Sequence, residues 1–157
     1  MSSVYIETTI PSFYYEVRQE PEMIARRNWT RQWWDSAATH YDLFTSVAVI
    51  EELSKGDYPS KTETLQLVRT LPLLPLEPPV RDIAKAYIVH EIMPRDVAGD
   101  ALHLAIASYN RCSFLLTWNC QHLANANKFQ PIRRVNTLLN LPTPDIVTPV
   151  ELLGAGG

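Results

Sequence analysis

The chain is poor in cysteine, in long apolar runs and in phosphate-loop glycines. Its two cysteines, Cys112 and Cys120, flank one apolar run and form no CxxC pair. That excludes a disulfide framework and points to thiols kept reduced in a cytoplasmic protein. No window approaches the ~20 consecutive apolar residues of a membrane-spanning helix. No basic region with a long apolar core precedes the first strand-like run, so no leader is expected either. Without a glycine-rich phosphate loop, nucleotide-triphosphate chemistry of that kind is excluded. Positive charge is also short: 14 Lys and Arg face 17 Asp and Glu, for a net charge of −3. A broadly basic nucleic-acid coat is thereby excluded, while a local basic face is not.

What is present is ordinary for a globular protein. A length of 157 residues with 46% hydrophobic and 20% charged residues suits one domain with one substantial core, expected over 1–153 with a flexible tail at 154–157. Strand-like runs at 4–6, 41–45, 73–76, 114–117 and 146–148 alternate with helical patterns. Helices are predicted to open near Pro11 with Thr9 or Ile10 as cap, and to cover 21–39, 47–55, 60–71, 79–91, 121–128 and 131–140, with a short one at Pro149. Ser46 is the expected cap of the helix that Gly56 stops. Alternation of this kind makes a parallel α/β sheet the economical architecture.

The most informative stretch runs from Asp96 to Ala107, with Phe114-Leu115-Leu116-Thr117-Trp118-Asn119 close behind. Its first part is apolar nearly all round from Ala101 onward and reads as a buried helix. Asp96 sits where a cap belongs, and Asp100 lies in the first turn, where the helix dipole favours a carboxylate. The second part reads as a buried strand emerging at its carboxyl edge, where open α/β sheets bind ligands. Glu7 follows the first strand, and Glu51 or Glu52 lies on the helix after the second; adjacent helical residues point differently, so one of the two is surface. Carboxylates that converge from separate elements repel unless a cation sits between them, and oxygen ligands suit Mg²⁺ or Mn²⁺. Thr117 either orients water or substrate or simply ends its strand. His103, one turn after Asp100, reads as a satisfied core histidine, and a zinc site of Asp100, His103, Cys120 and His122 lacks a recognisable spacing. Trp29, Trp33 and Trp34 on one helix exceed what a small sheet needs for cover and suggest a partner or homodimer face. Arg26, Arg27 and Arg31 beside them read as a solvated face or a track for an RNA backbone.

Four segments, Tyr5-Ile6-Glu7-Thr8-Thr9, Ile50-Glu51-Glu52-Leu53, Gly99-Asp100-Ala101-Leu102-His103-Leu104-Ala105-Ile106-Ala107 and Leu115-Leu116-Thr117-Trp118-Asn119, together resemble the PIN domain, and in particular the VapC-like toxin ribonucleases. The resemblance extends over nearly the whole chain. It implies one PIN-like domain with a five-stranded parallel sheet flanked by helices. It implies further a Mg²⁺- or Mn²⁺-dependent endoribonuclease, the toxin of a toxin–antitoxin module, with RNA as substrate and an antitoxin as partner. Glu7, Glu52, Asp100 and Asn119 then take the four acidic positions, the first three as metal ligands. Glu for Asp at position 7 keeps a carboxylate, whereas Asn at position 119 keeps an oxygen and loses a charge. The alternative is a catalytically weak or inactive PIN-fold module that holds RNA or a protein.

Overall fold

The computed structural model describes residues 1–95 and 98–154. The expected cap at Asp96, and the tail from residue 155 on, lie outside the described residues. Among the described residues the strands are β1 (Ser3–Ile6), β2 (Asp42–Ser46), β3 (Leu73–Leu74), β4 (Phe114–Leu116) and β5 (Asp145–Val147). All pair in parallel in the order β3-β2-β1-β4-β5, with Tyr5 opposite Phe44 on one side and Leu115 on the other. The sheet is flanked by α1 (Thr9–Tyr14), α2 (Pro21–Gln32), α3 (Val47–Ser54), α4 (Lys61–Val68), α5 (Pro78–Val89), α6 (Ala98–Tyr109), α7 (Ala126–Leu138) and α8 (Pro149–Leu152). No helix among the described residues is long and apolar enough to cross a membrane.

Because successive strand residues face opposite sides, β1 serves two cores at once. Tyr5 packs with Val49 and Leu53 of α3, Val80 and Tyr87 of α5, Leu104 of α6 and Ile132 of α7. Val4 and Ile6 pack on the other side with Ile10 and Phe13 of α1, Trp33, Tyr41 and Leu152 of α8. The chain leaves β1 for β2 on one side and fills β4 on the other only much later. That reversal makes the carboxyl ends of the central strands a topological switch point.

Three expectations are corrected. α7 is one helix with Pro131 inside it, not two helices meeting there, and residues 121–123 form a turn. Asn125 caps α7 by accepting from the Asn127 N–H at 3.0 Å. Burial of Ile132, Val135 and Asn136 on one face outweighs the backbone hydrogen bond that Pro131 cannot donate. The helix expected over 21–39 is α-helical only to Gln32, then turns π-helical over Trp33–Ala37 and 3₁₀ over Ala38–His40. Its three tryptophans consequently part company. Trp33 is fully buried against Tyr41, with ring centroids 6.1 Å apart; Trp34 is half-buried, and Trp29 is 39% exposed. Finally, α1 begins at Thr9 rather than at Pro11, whereas Gly56 ends the α3 turn with φ +70°, as its sequence position predicts.

Candidate active site

Two helix caps are diverted to this site. Thr8 stands at the N-cap of α1 and Ser46 at that of α3, yet neither hydroxyl caps its helix. Thr8 Oγ1 donates instead to Glu52 Oε2 at 2.9 Å, and Ser46 Oγ is 2.7 Å from the Tyr5 hydroxyl. An unused cap costs a helix about 1 kcal/mol, so both helices give up local stability to a shared polar network.

At the centre of that network is His103, 1% exposed on α6. Its Nδ1 lies 2.7 Å from the Tyr5 hydroxyl and its Nε2 2.6 Å from Glu52 Oε1. Burial pulls the imidazole pKa down, but the Glu52 hydrogen bond and the charges of Glu7, Glu52 and Asp100 outweigh it and leave the value raised. In the protonated form both ring nitrogens donate, to Tyr5 and to Glu52, and the tyrosine hydroxyl in turn donates its hydrogen bond to Ser46 Oγ. His103 is thus the buried, satisfied histidine its helix predicts. What the sequence reading missed is that its partners are the site itself. Its position three residues after Asp100, on the same helical face, was the available signal.

Of the two adjacent acids, Glu52 faces this network and Glu51 is exposed. Burial raises the Glu52 pKa, but the His103 hydrogen bond and charge, with the Thr8 hydroxyl, more than reverse it, so the carboxylate titrates below its ordinary range. α6 comes close because Gly99 has no side chain: a Cβ there would stand 3.3 Å from Glu52 Oε1.

Glu7 is held differently. Its backbone N–H extends the β1–β4 pairing to Leu116 O at 3.2 Å, which buries the side chain to 3% exposure. Its Oε1 accepts from the Thr9 N–H at 3.1 Å, the Thr9 hydroxyl at 2.5 Å and the Thr117 hydroxyl at 2.7 Å. Burial raises its pKa against the opposing pull of His103 and these donors. Thr117 is therefore an orienting residue for a carboxylate: its Oγ1 also accepts the Asn119 N–H at 2.9 Å.

Asp100 is half-buried in the first turn of α6. Burial raises its pKa, Glu52 adds to that, and Asn119, His122 and His103 counter it. The Asn119 Oδ1 accepts from the backbone N–H of His122 at 3.0 Å and of Gln121 at 3.3 Å. Its oxygen is occupied by the turn that follows β4, and the side chain stands near enough to Asp100 to favour that carboxylate's charged form.

Glu7, Glu52, Asp100 and Asn119 are therefore brought to one edge of the sheet, the three acids coupled electrostatically through His103. Among the described residues no three His, Cys, Asp or Glu side chains are gathered closely enough to form a ready ligand group for a metal. In kind and charge the carboxylates fit a hard divalent cation. In position, Glu52 is engaged by His103, whose imidazole in its protonated form supplies positive charge beside the acids. No protein-family model matches the chain, and no curated protein is found similar to it.

Proposed function

We propose that this chain is a metal-dependent endoribonuclease of the VapC-like PIN kind, acting in the cytoplasm as the toxin of a toxin–antitoxin module. The observation that carries the reading is that Glu7, Glu52 and Asp100, from three different elements, all act on the one buried imidazole of His103 at the edge of a parallel sheet ordered β3-β2-β1-β4-β5. Such a concentration of carboxylates at a topological switch point is functional in character, because burial and mutual repulsion oppose it.

Glu7, Glu52 and Asp100 would hold Mg²⁺ or Mn²⁺, which when bound activates water and offsets charge on a phosphodiester. Thr9 and Thr117 fix Glu7 through Oε1 and leave its Oε2 without a hydrogen bond among the described residues. His103 and Thr8 hold Glu52 in place, and Tyr5 holds His103. Asn119 keeps the turn after β4 closed beside Asp100.

The second reading, a PIN-fold module that binds without cutting, is favoured by the engagement of both the Asn119 oxygen and Glu52 with partners inside the protein. The two readings part on one experiment. Wild type is expected to cleave RNA with Mn²⁺ and to melt at higher temperature with millimolar Mn²⁺, by mass action on the folded state. Asp100→Asn is expected to lose both effects while folding normally. Cleavage equal in wild type and Asp100→Asn overturns the nuclease, and a Mn²⁺ shift without cleavage leaves the binding module.

A further inference from the structure

Beside the acid site, the end of α1 and the loop leading to α4 enclose a cavity of about 350 Å³ whose lining includes Ser12, Tyr15, Glu16, Arg18, Tyr58 and Thr64. Both of its walls continue into the acid site. Ser12 bonds back to Thr8 O at 3.4 Å, one helical turn away, and Thr8 is the residue whose hydroxyl holds Glu52. Opposite, the Tyr58 hydroxyl donates to Leu53 O on α3, the helix that carries Glu52. The cavity thus lies about one turn, ~5–6 Å of helical rise, along α1 from the acids.

Its walls carry two aromatic rings and the paired charges of Arg18 and Glu16, with Lys61 close by. Tyr15 and Tyr58 are half-buried, and the Lys61 ammonium stands 6.0 Å from the centre of the Tyr58 ring. Lys61 donates to Gly56 O, and the exposed Arg18 guanidinium pairs with Glu16, which holds that carboxyl below its ordinary range. Neither tyrosine is needed to close a core: both stand outside the two apolar clusters. Two half-buried rings beside an exposed guanidinium and a half-buried ammonium are the elements from which single-stranded nucleic acid is bound without reading its sequence, bases stacking on rings and phosphates meeting charges.

We propose that this cavity is a nucleotide subsite, which seats one base of single-stranded RNA against Tyr15 and Tyr58 and the adjoining phosphate near Arg18 and Lys61. It holds the strand that passes over the acids, and in that respect rests on the nuclease reading. Glu16 disfavours a ligand that brings its own negative charge unless Arg18 turns from it, so the base supplies the affinity and the phosphate only part of it.

The test is binding of a fluorescent oligouridylate of about a dozen nucleotides to the wild-type protein in chelator, read by anisotropy. Tyr15→Leu and Tyr58→Leu are each expected to weaken binding between about 5- and 150-fold, the span of one base–aromatic stack. Tyr58→Phe keeps the ring, loses the bond to Leu53 O, and is expected to bind as wild type does. Arg18→Gln is expected to flatten the slope of log affinity against log salt by about 0.7. If Tyr58→Phe falls as far as Tyr58→Leu, or if Tyr15→Leu binds and cuts like wild type while Asp100→Asn is dead, the subsite is overturned and the nuclease stands. If the leucine variants release RNA while Asp100→Asn cuts like wild type, the nuclease falls and the subsite stands.

Discussion

At the scale of single residues, position 119 is the most informative. The Asn119 oxygen closes a turn, and a carboxylate can accept the same two backbone N–H groups from His122 and Gln121. Asn119→Asp is therefore expected to keep that turn, lose the favourable influence of the amide on the Asp100 carboxylate, and set a second carboxylate near the first. In the absence of metal this raises the Asp100 pKa further and lowers thermal stability at neutral pH. With Mn²⁺ it tightens binding and leaves or raises RNA cleavage. Calorimetric titration with Mn²⁺ checks this, and weaker binding than wild type in a folded protein would contradict it. Gly99 carries a second expectation. A methyl group there meets Glu52 Oε1 at 3.3 Å, so Gly99→Ala pushes the carboxylate off His103 or shifts α6 by a few tenths of an ångström. Alanine is the better helix former by about 1 kcal/mol, so stability should change little while cleavage falls. Denaturant melts alongside RNA cleavage separate the two effects.

At the scale of the element, α7 shows local preference losing to packing. Pro131 stands in the second helical turn, where it can donate no backbone hydrogen bond and crowds the carbonyl four residues earlier. Beyond it, Asn136 is fully buried and holds together a small polar network. It accepts from the Tyr87 hydroxyl at 2.6 Å and donates to Ser108 Oγ at 3.1 Å and to Thr143 Oγ1 at 3.1 Å. Leaving these groups unpaired in the interior costs more than the helix loses at Pro131. Pro131→Ala is therefore expected to stabilise the fold by about 1–2 kcal/mol, the relieved helical penalty less the extra freedom of the unfolded chain. In a domain of this size that is a rise in melting temperature of roughly 2–8 °C. A fall in melting temperature would mean that the proline ring, half-buried on its helix, packs better than it strains.

At the scale of the molecule, the acid site sets how stability varies with pH. His103 titrates above its ordinary 6.5 in the folded chain. Its contribution is therefore fully present below 6.5 and is lost as pH rises through the folded value. Glu7 and Asp100, both raised, act in the same sense at lower pH: their contribution is lost as pH climbs through their folded values. Glu52, lowered, acts oppositely, stabilising above its ordinary 4.5 and failing as pH falls through its folded value. The melting temperature is thus expected to decline as pH rises from 6.5 into the alkaline range, and His103→Gln is expected to remove that decline at the cost of lower stability at pH 6.5. Melts of both proteins across that range check it; the same alkaline slope in both would assign it to other groups.

The amino-acid order by itself determined the alternation of strands and helices, and with it the parallel α/β class, because hydrophobic periodicity and helix-ending residues such as Gly56 act over a few neighbours. It also placed Glu7, Asp100 and Asn119 at the ends of their elements, since a residue that follows a buried strand or opens a helix lies at an edge wherever the element packs. Tertiary structure decided what those positions do. The choice of Glu52 over Glu51 depends on which face of α3 meets α6, and the role of His103 on a contact between residues 51 positions apart in sequence. Thr8 and Ser46 left their caps, Trp33 entered the core and α7 ran through Pro131. In each case the local rule is worth about 1–3 kcal/mol and the long-range burial or charged hydrogen bond that overrode it is worth as much or more. Such interactions join segments that no local pattern connects, and so they exist only once the chain has folded.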